Sequence, residues 1–372
     1  MKDTQKRTWA EVSLRHIEHN YRELRAKLPD GCRYMAVVKA DAYGHGAVPV
    51  ARRLEDAGAD YLAVACLEEA AALRQADITR PLMILGYTPP GYASALAALD
   101  VTQAVVCEEQ GRALSHALTG GERLKIHLKL DTGMGRLGFP VHDEASMAAA
   151  ARVLTLERLE PEGVFTHFAV SDEPEKSYTR EQLTRFLAAV RTLEAGRSRF
   201  EIRHCANSAA VINYAEAAGL DMARVGLAGY GLYPGPARGG VALIPAMTLY
   251  SRVAAVTEHR AGDTISYGQT YTAPRDCRLA VLPIGYADGL HRVLSGKMDV
   301  LIHGRRAGQV GRICMDMCMI DVTDLPETQV GDVATVFGSG ELPVEEQAQK
   351  AGTISYELVC AVSGRVPRVY SD

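Results

Sequence analysis

The chain has 372 residues, more than one ordinary compact core holds, so one large domain or two is expected. Hydrophobic residues at 47%, charged residues at 23% and a net charge of −4 fit a soluble globular protein and give no basic surface for nucleic acid. The eight cysteines are scattered without a CxxC pair or a completed zinc cluster, and no apolar run is long enough for a bilayer, so a reducing cytoplasm without metal or membrane is expected.

Residues 8–14 form a short apolar run that can add a strand to a domain further along the chain. Eight β-branched or apolar runs follow, at 34–39, 61–65, 82–85, 102–106, 124–130, 163–166, 201–204 and 222–225. Amphipathic stretches rich in Ala, Leu, Glu and Arg lie between them. That alternation predicts parallel strands with crossover helices, and eight such units close into an α/β fold, a (β/α)8 TIM-type barrel. No GxGxxG follows an early strand, which argues against a dinucleotide sheet. Glycines and prolines over 224–236 mark an exit. Beyond about residue 240 the runs 249–256, 278–282, 298–302 and 333–337 are short and separated by turns, which predicts a C-terminal mainly-β domain. The expected domains are 8–240 and 241–372.

Several residues carry chemistry at these positions. Lys39 ends the first barrel run, on the face where barrels place their active sites. A desolvated lysine there can form a Schiff base with an aldehyde, whereas a lone strand-end lysine more often snorkels to solvent. In 125–129 a two-residue period puts Lys125, His127 and Lys129 on one face, which a closed barrel leaves little room to expose. Arg136 follows a glycine-rich turn and suits a carboxylate. Ser208 follows the seventh run, and Gly226 and Leu227 the eighth, the usual phosphate-binding corner of a barrel. Tyr267 reads as a strand tyrosine, for which packing is the default role.

The run from Val37 through Lys39 and Tyr43 to Gly46, VVKADAYGHG, resembles the cofactor-lysine motif of bacterial alanine racemases. The resemblance continues through KLDTGMGRLGF at Lys129–Phe139, THFA at 166–169, HCANSAA from His204, RVGL from Arg224, SYG at 266–268, PIGYADG from Pro283, GRICMD from Gly311 and RVPR at 365–368, and so covers essentially the whole chain. It implies a barrel followed by a β domain, and pyridoxal 5′-phosphate carried on Lys39. It implies Leu85 against the cofactor ring and Tyr43, Asn207, Ser208, Gly226, Leu227 and Tyr356 around the cofactor, most of them at its phosphate. Arg224 would face the ring nitrogen as a permanently charged donor and keep it unprotonated, a weaker electron sink than a carboxylate partner makes.

By the same resemblance Lys39 and Tyr267 are the two bases, one for each face of the substrate, with His167 hydrogen-bonded to the tyrosine. Arg136 and Met315 orient the substrate carboxylate, with Cys314 and Asp316 beside them. Lys129 is a candidate for carbamylation, and Tyr286 and Arg292 narrow the way in. The resemblance implies a homodimer with shared active sites and a small amino acid as substrate, alanine ahead of serine or a broader set, yielding D-alanine for peptidoglycan. A decarboxylase of the same architecture is disfavoured by Arg224, and a single-barrel cofactor carrier by the presence of a second domain.

Overall fold

The computed structural model describes residues 6–195, 199–338 and 340–372. The chain divides into two compact units. One comprises residues 17–42 and 47–244, the other residues 1–16, 43–46 and 245–372.

The first unit is the barrel. Its strands are β2 (Arg33–Val37), β3 (Tyr61–Val64), β4 (Leu82–Ile84), β5 (Val101–Val105), β6 (Leu124–Asp131), β7 (Leu159–Phe165), β8 (Ile202–His204) and β9 (Met222–Val225). They run parallel in the order β9-β2-β3-β4-β5-β6-β7-β8. Asp221 N–H to Arg203 O at 3.1 Å and Arg224 N–H to Ala206 O at 2.9 Å link β9 to the end of β8 and bring the ring nearly to closure. Strands β3, β4 and β5 are buried along their whole length. That is the condition of a strand with the barrel interior on one face and helices on the other, and it explains the unbroken apolar character of β3 and β4, while β5 also buries Thr102 and Gln103. The helix Leu14–Arg25 shows the complementary pattern, burying Ile17, Tyr21 and Leu24 and ending in basic residues. All eight sequence runs are strands. The third run, however, stops being a strand at Ile84, so Leu85 begins the following loop, and the alternation in β6 is graded. His127 and Lys129 are buried, while Lys125 is exposed and paired with Asp100 at 3.0 Å.

The second unit is built on a nine-stranded sheet. Its strands are β1 (Thr8–Ser13), β10 (Met247–Arg252), β11 (Ala255–His259), β12 (Cys277–Leu282), β13 (Asp299–Ile302), β14 (Arg305–Val310), β15 (Cys318–Asp321), β16 (Val333–Phe337) and β17 (Arg368–Ser371), in the order β11-β12-β15-β14-β13-β16-β10-β1-β17. The N-terminal run is indeed a strand of this unit, antiparallel to β10 with Ala10 opposite Leu249 and parallel to β17 with Ala10 opposite Arg368. Its alternating burial matches its alternating sequence. One expectation is corrected: the run 249–256 is split between two strands at Val253–Ala254. Two short helices, Val344–Ala351 and Ser355–Ala361, accompany the sheet in this mainly-β unit. No helix among the described residues is long and apolar enough to cross a membrane.

Candidate active site

Lys39 sits where β2 gives way to an unusual turn. Ala40, Asp41, Ala42 and Tyr43 all have φ between 52° and 54°, a left-handed helical turn built without glycine. Each such residue costs roughly 1–2 kcal/mol relative to a right-handed one, so the surroundings must over-determine the turn. They do so through two carboxylates. Glu69 accepts from Ala40 N–H at 2.7 Å and from Ala65 N–H at 2.8 Å, and Asp41 accepts from Ala47 N–H at 2.7 Å. Ala42 N–H donates to Val38 O at 2.9 Å. Glu69 thus ties the backbone beside Lys39 to the end of the neighbouring strand. The sequence offered no sign of it, because a glutamate in the first turn of a helix is ordinary.

Arg224 projects from β9 into the barrel and is buried. Its Nη1 donates to His204 Nδ1 at 2.8 Å. Its Nη2 donates to Thr166 O at 2.7 Å, to Cys205 O at 3.1 Å and to His167 Nδ1 at 3.3 Å. Arginine has no acceptor, so both imidazole nitrogens it meets are bare. His167 therefore carries its proton on Nε2. Burial, then the charges of Arg224, Arg136, Lys129 and Lys39, holds His167 well below the usual histidine range, so it is neutral. Burial and Arg224 do the same to His204, whose ring stacks on Phe165 at 4.9 Å. Burial lowers Arg224 itself to about 10, so it stays charged at neutral pH.

Lys129 and Arg136 complete a cationic set. Burial first, then the charge of Arg136 and that of Arg224, brings the Lys129 ammonium down to about 8. It lies 5.6 Å from the centre of the Phe165 ring. Arg136 is exposed on the loop after β6. The carboxylate of Asp131 shapes that loop by accepting from the N–H groups of Gly133, Met134 and Gly135 at 2.9, 2.9 and 3.2 Å. A concentration of positive charge around two neutral histidines suits anionic ligands.

Ser208 opens the short helix Ser208–Asn213. Its hydroxyl oxygen accepts from Gly226 N–H at 2.9 Å and Ala228 N–H at 3.4 Å, which leaves its own proton to donate outward. Leu227 begins a single 3-10 turn, where a first N–H has no intrahelical acceptor. The Ser208 hydroxyl and the Leu227 amide offered together fit a phosphate. Among the described residues, Arg224 also keeps Nε–H and its second Nη1–H without a protein partner, donors suited to a ring nitrogen. The barrel unit therefore fits a phosphate-bearing heteroaromatic cofactor. Asn207 is placed differently from a simple ligand. Its Oδ1 caps the helix through Ala210 N–H at 3.0 Å and accepts from Ser171 at 2.9 Å.

The second unit gathers the remaining residues. Tyr267 is not on a strand. It begins a 3-10 turn between the two-residue strands Thr264–Ile265 and Tyr271–Thr272, and it is 70% exposed, so packing does not account for it. Ser266 just before it has φ 68°, and its hydroxyl donates to Arg312 O at 2.8 Å and lies 3.5 Å from Cys314 Sγ. Tyr286 N–H donates to Cys314 O and Ala287 N–H to Met315 O, both at 3.0 Å. A side chain at Gly285 would strike both carbonyls, so only glycine permits this approach. Asp288, fully buried, accepts from Gly285 N–H and pairs with Arg7 at 2.8 Å and Arg365 at 3.0 Å. Arg365 also pairs with Asp316 at 2.7 Å. Tyr267, Tyr286, Cys314, Met315 and Asp316 are thus one tied cluster, with Tyr286 and Met315 exposed. Arg292 is exposed on a separate 3-10 turn. Tyr43 is buried with its ring 6.2 Å from that of Tyr356. Burial, then Tyr356, pushes the Tyr43 phenol up, so it is a donor rather than an anion.

Residues 12–234 match the family model of the alanine racemase N-terminal domain, and residues 246–370 that of the C-terminal domain. The chain is 48% identical to the alanine racemase of Desulforamulus reducens over 365 residues, 97% of this chain and 98% of that one. It is 47% identical to the alanine racemase of Desulfovibrio desulfuricans over 98% of both chains. Among solved structures, that of alanine racemase from Clostridium difficile superposes with a TM-score of 0.93 at 38% identity, covering 99% of this chain and 96% of that one. The Bacillus anthracis alanine racemase with bound L-Ala-P superposes at 0.93 and 37% identity, over 99% of this chain and 95% of that one.

Proposed function

The chain belongs to the alanine racemase family, and from that premise we propose that it interconverts L- and D-alanine by a two-base mechanism with pyridoxal 5′-phosphate held on Lys39. The proposed role is supply of D-alanine for peptidoglycan in the cytoplasm. The observation that carries this reading is the arrangement inside the barrel unit, where a buried arginine with spare donors on β9 and a hydroxyl-and-amide cradle after β8 and β9 come together. Bound there, the cofactor would supply an aldehyde for amine condensation and a ring that draws electron density from Cα.

The protein's own groups do the rest. Lys39 moves the proton on one face of Cα and Tyr267 on the other. Arg224 donates to the ring nitrogen and keeps it unprotonated. A ring held this way would be a weak electron sink, which would favour prompt return of a proton to Cα by Lys39 or Tyr267 over side reactions. Ser208 and Leu227 would hold the phosphate, with Gly226 fixing the Ser208 hydroxyl through its N–H, Tyr43 and Tyr356 as further donors and Leu85 against the ring. Asn207 acts by capping the helix that presents Ser208. Arg136 and the Met315 backbone orient the substrate carboxylate, with Cys314 and Asp316 shaping that loop.

For Tyr267 to act as a base its phenolate needs a hydrogen-bond donor to stabilise it. We assign that help to His167, whose Nε2–H is the proton it has left to donate to a phenolate. Tyr267 is assigned to a second copy of the chain in a homodimer, and Tyr286 and Arg292 to narrowing the way in.

Proton NMR in heavy water, with purified protein, cofactor and a panel of L-amino acids, tests the reading. Loss of the alanine α-proton signal faster than that of serine or larger residues is expected. Fastest exchange with serine would move the assignment to serine, and no exchange with cofactor bound would overturn racemisation. Lys39→Ala should abolish exchange, and Tyr267→Phe should slow it unequally in the two directions.

A further inference from the structure

Arg224 carries a buried charge, yet its hydrogen bonds go only to neutral groups. The path from its Nη1 leads further. His204 accepts on Nδ1, and its Nε2 lies 2.8 Å from His127 Nδ1. His127 Nε2 lies 3.0 Å from Glu162 Oε2, which also accepts from Tyr61 Oη at 2.8 Å. Both imidazoles are fully buried.

The protons on this path follow from its two ends. Arginine only donates, so His204 Nδ1 is bare and Nε2 carries the hydrogen. That hydrogen goes to His127, so His127 Nδ1 is bare and its Nε2–H donates to Glu162. Reversing either ring would set two donors against each other. The barrel also makes room for this chain of bonds. A side chain on Gly163, next to Glu162, would lie 2.7 Å from His127 Cε1 and 2.7 Å from Ile202 O.

We propose that Glu162 is a positioning residue for Arg224. Acting through His127 and His204, it fixes both rings as Nε2–H tautomers, so that the guanidinium always meets an acceptor and keeps its free donors aimed one way. The acceptor oxygen of Glu162 decides the orientation of two rings and one guanidinium along a line of polarised bonds. This rests on the assignment of Arg224 to the cofactor ring, and it adds a residue that touches neither substrate nor cofactor.

The test is nitrogen-15 NMR of histidine-labelled full-length protein, cofactor-loaded and cofactor-free, with ring signals assigned through His127→Gln and His204→Gln. Both rings should be neutral Nε2–H tautomers in the wild type. Glu162→Ala should populate the other tautomer at His204 and lower kcat for alanine roughly 10- to 100-fold, the range seen when a group orienting a functional histidine is lost, with KM little changed. Glu162→Gln, which keeps an acceptor oxygen, should restore the tautomers and most of kcat. An Nδ1–H or doubly protonated ring in the wild type overturns the proposal, even if Glu162→Ala fails to fold. So does a Glu162→Ala enzyme in which tautomer and kcat do not change together. The ring spectrum does not depend on turnover. An inactive wild type with the predicted tautomers would defeat the racemase reading, and an active wild type without them would defeat this one.

Discussion

Lys129 illustrates how one residue's surroundings change its chemistry. Buried beside Arg136 and Arg224, its ammonium titrates near 8 rather than at its ordinary 10.5. Only a neutral amine adds carbon dioxide, and at pH 7 about a tenth of such a lysine is neutral, against about one part in 3,000 for a free one. We therefore predict a carbamate on Lys129, anionic and set to steady Arg136. Carbon-13 NMR with labelled bicarbonate should show one carbonyl signal that is absent in Lys129→Met. In buffer free of carbon dioxide the same substitution should stabilise the fold, because the wild type then buries a cation. The folded-state pKa lies below the unfolded one, so the full penalty is present below pH 8. It fades as pH rises from 8 to about 10.5, where the unfolded chain holds more protons. Urea denaturation at pH 7 should favour Lys129→Met by about 1–2 kcal/mol, and the gap should close by pH 10.5. His127 belongs at this scale too. The period of β6 placed it on the same face as Lys129, but its bonds to His204 and Glu162 join three separate strands and left no mark in the sequence.

At the scale of elements, the decisive piece is the left-handed turn after β2. The sequence marks the end of a strand at Lys39 and supplies two glycines soon after, but Ala-Asp-Ala-Tyr favours a right-handed helix. The turn goes the other way because Glu69 accepts the Ala40 N–H and Asp41, within the turn, accepts the N–H of Ala47 at the start of the next helix. A specific sign follows. In an ordinary helix Ala→Gly costs about 1 kcal/mol. Ala40 is exposed with φ 53°, so Ala40→Gly relieves strain and should leave stability unchanged or raise it by up to about 1 kcal/mol in denaturant titration. A loss of 1 kcal/mol would show that the turn is right-handed in solution. Glu69→Ala should act oppositely, lowering stability by roughly 1–3 kcal/mol through lost charge-assisted bonds and weakening cofactor retention, measurable by dialysis and absorbance. Tyr267 teaches a similar lesson. Its β-like surroundings pointed to a strand, while Ser266 at φ 68° and the tie to Arg312 O turn the tyrosine outward to solvent.

For the whole molecule, the shared-site proposal has a stoichiometric consequence. Lys39→Ala and Tyr267→Phe proteins, each impaired alone, should recover activity when unfolded and refolded together. Random pairing makes half the dimers mixed, and one site in each mixed dimer then holds both native residues, so recovery should approach about 25% of wild type. No recovery in verified mixed dimers would place both bases in one chain. What the sequence determined by itself was local and periodic. Eight strand runs with amphipathic helices between them required a barrel, the short turn-bounded runs beyond residue 240 required a β unit, and the ordered motifs required the family. These follow from side-chain patterns that repeat within a few residues of one another. Only the tertiary structure decided what depends on contacts between distant segments. Such contacts put Glu69 beside Lys39, set Glu162 at the end of a line from Arg224, fastened Arg365 to both Asp316 and Asp288, and made the N-terminal strand a neighbour of the C-terminal one. Burial and unlike neighbours then set protonation, which composition and spacing leave open, because a pKa depends on what lies within a few ångströms and not on what lies next in the chain.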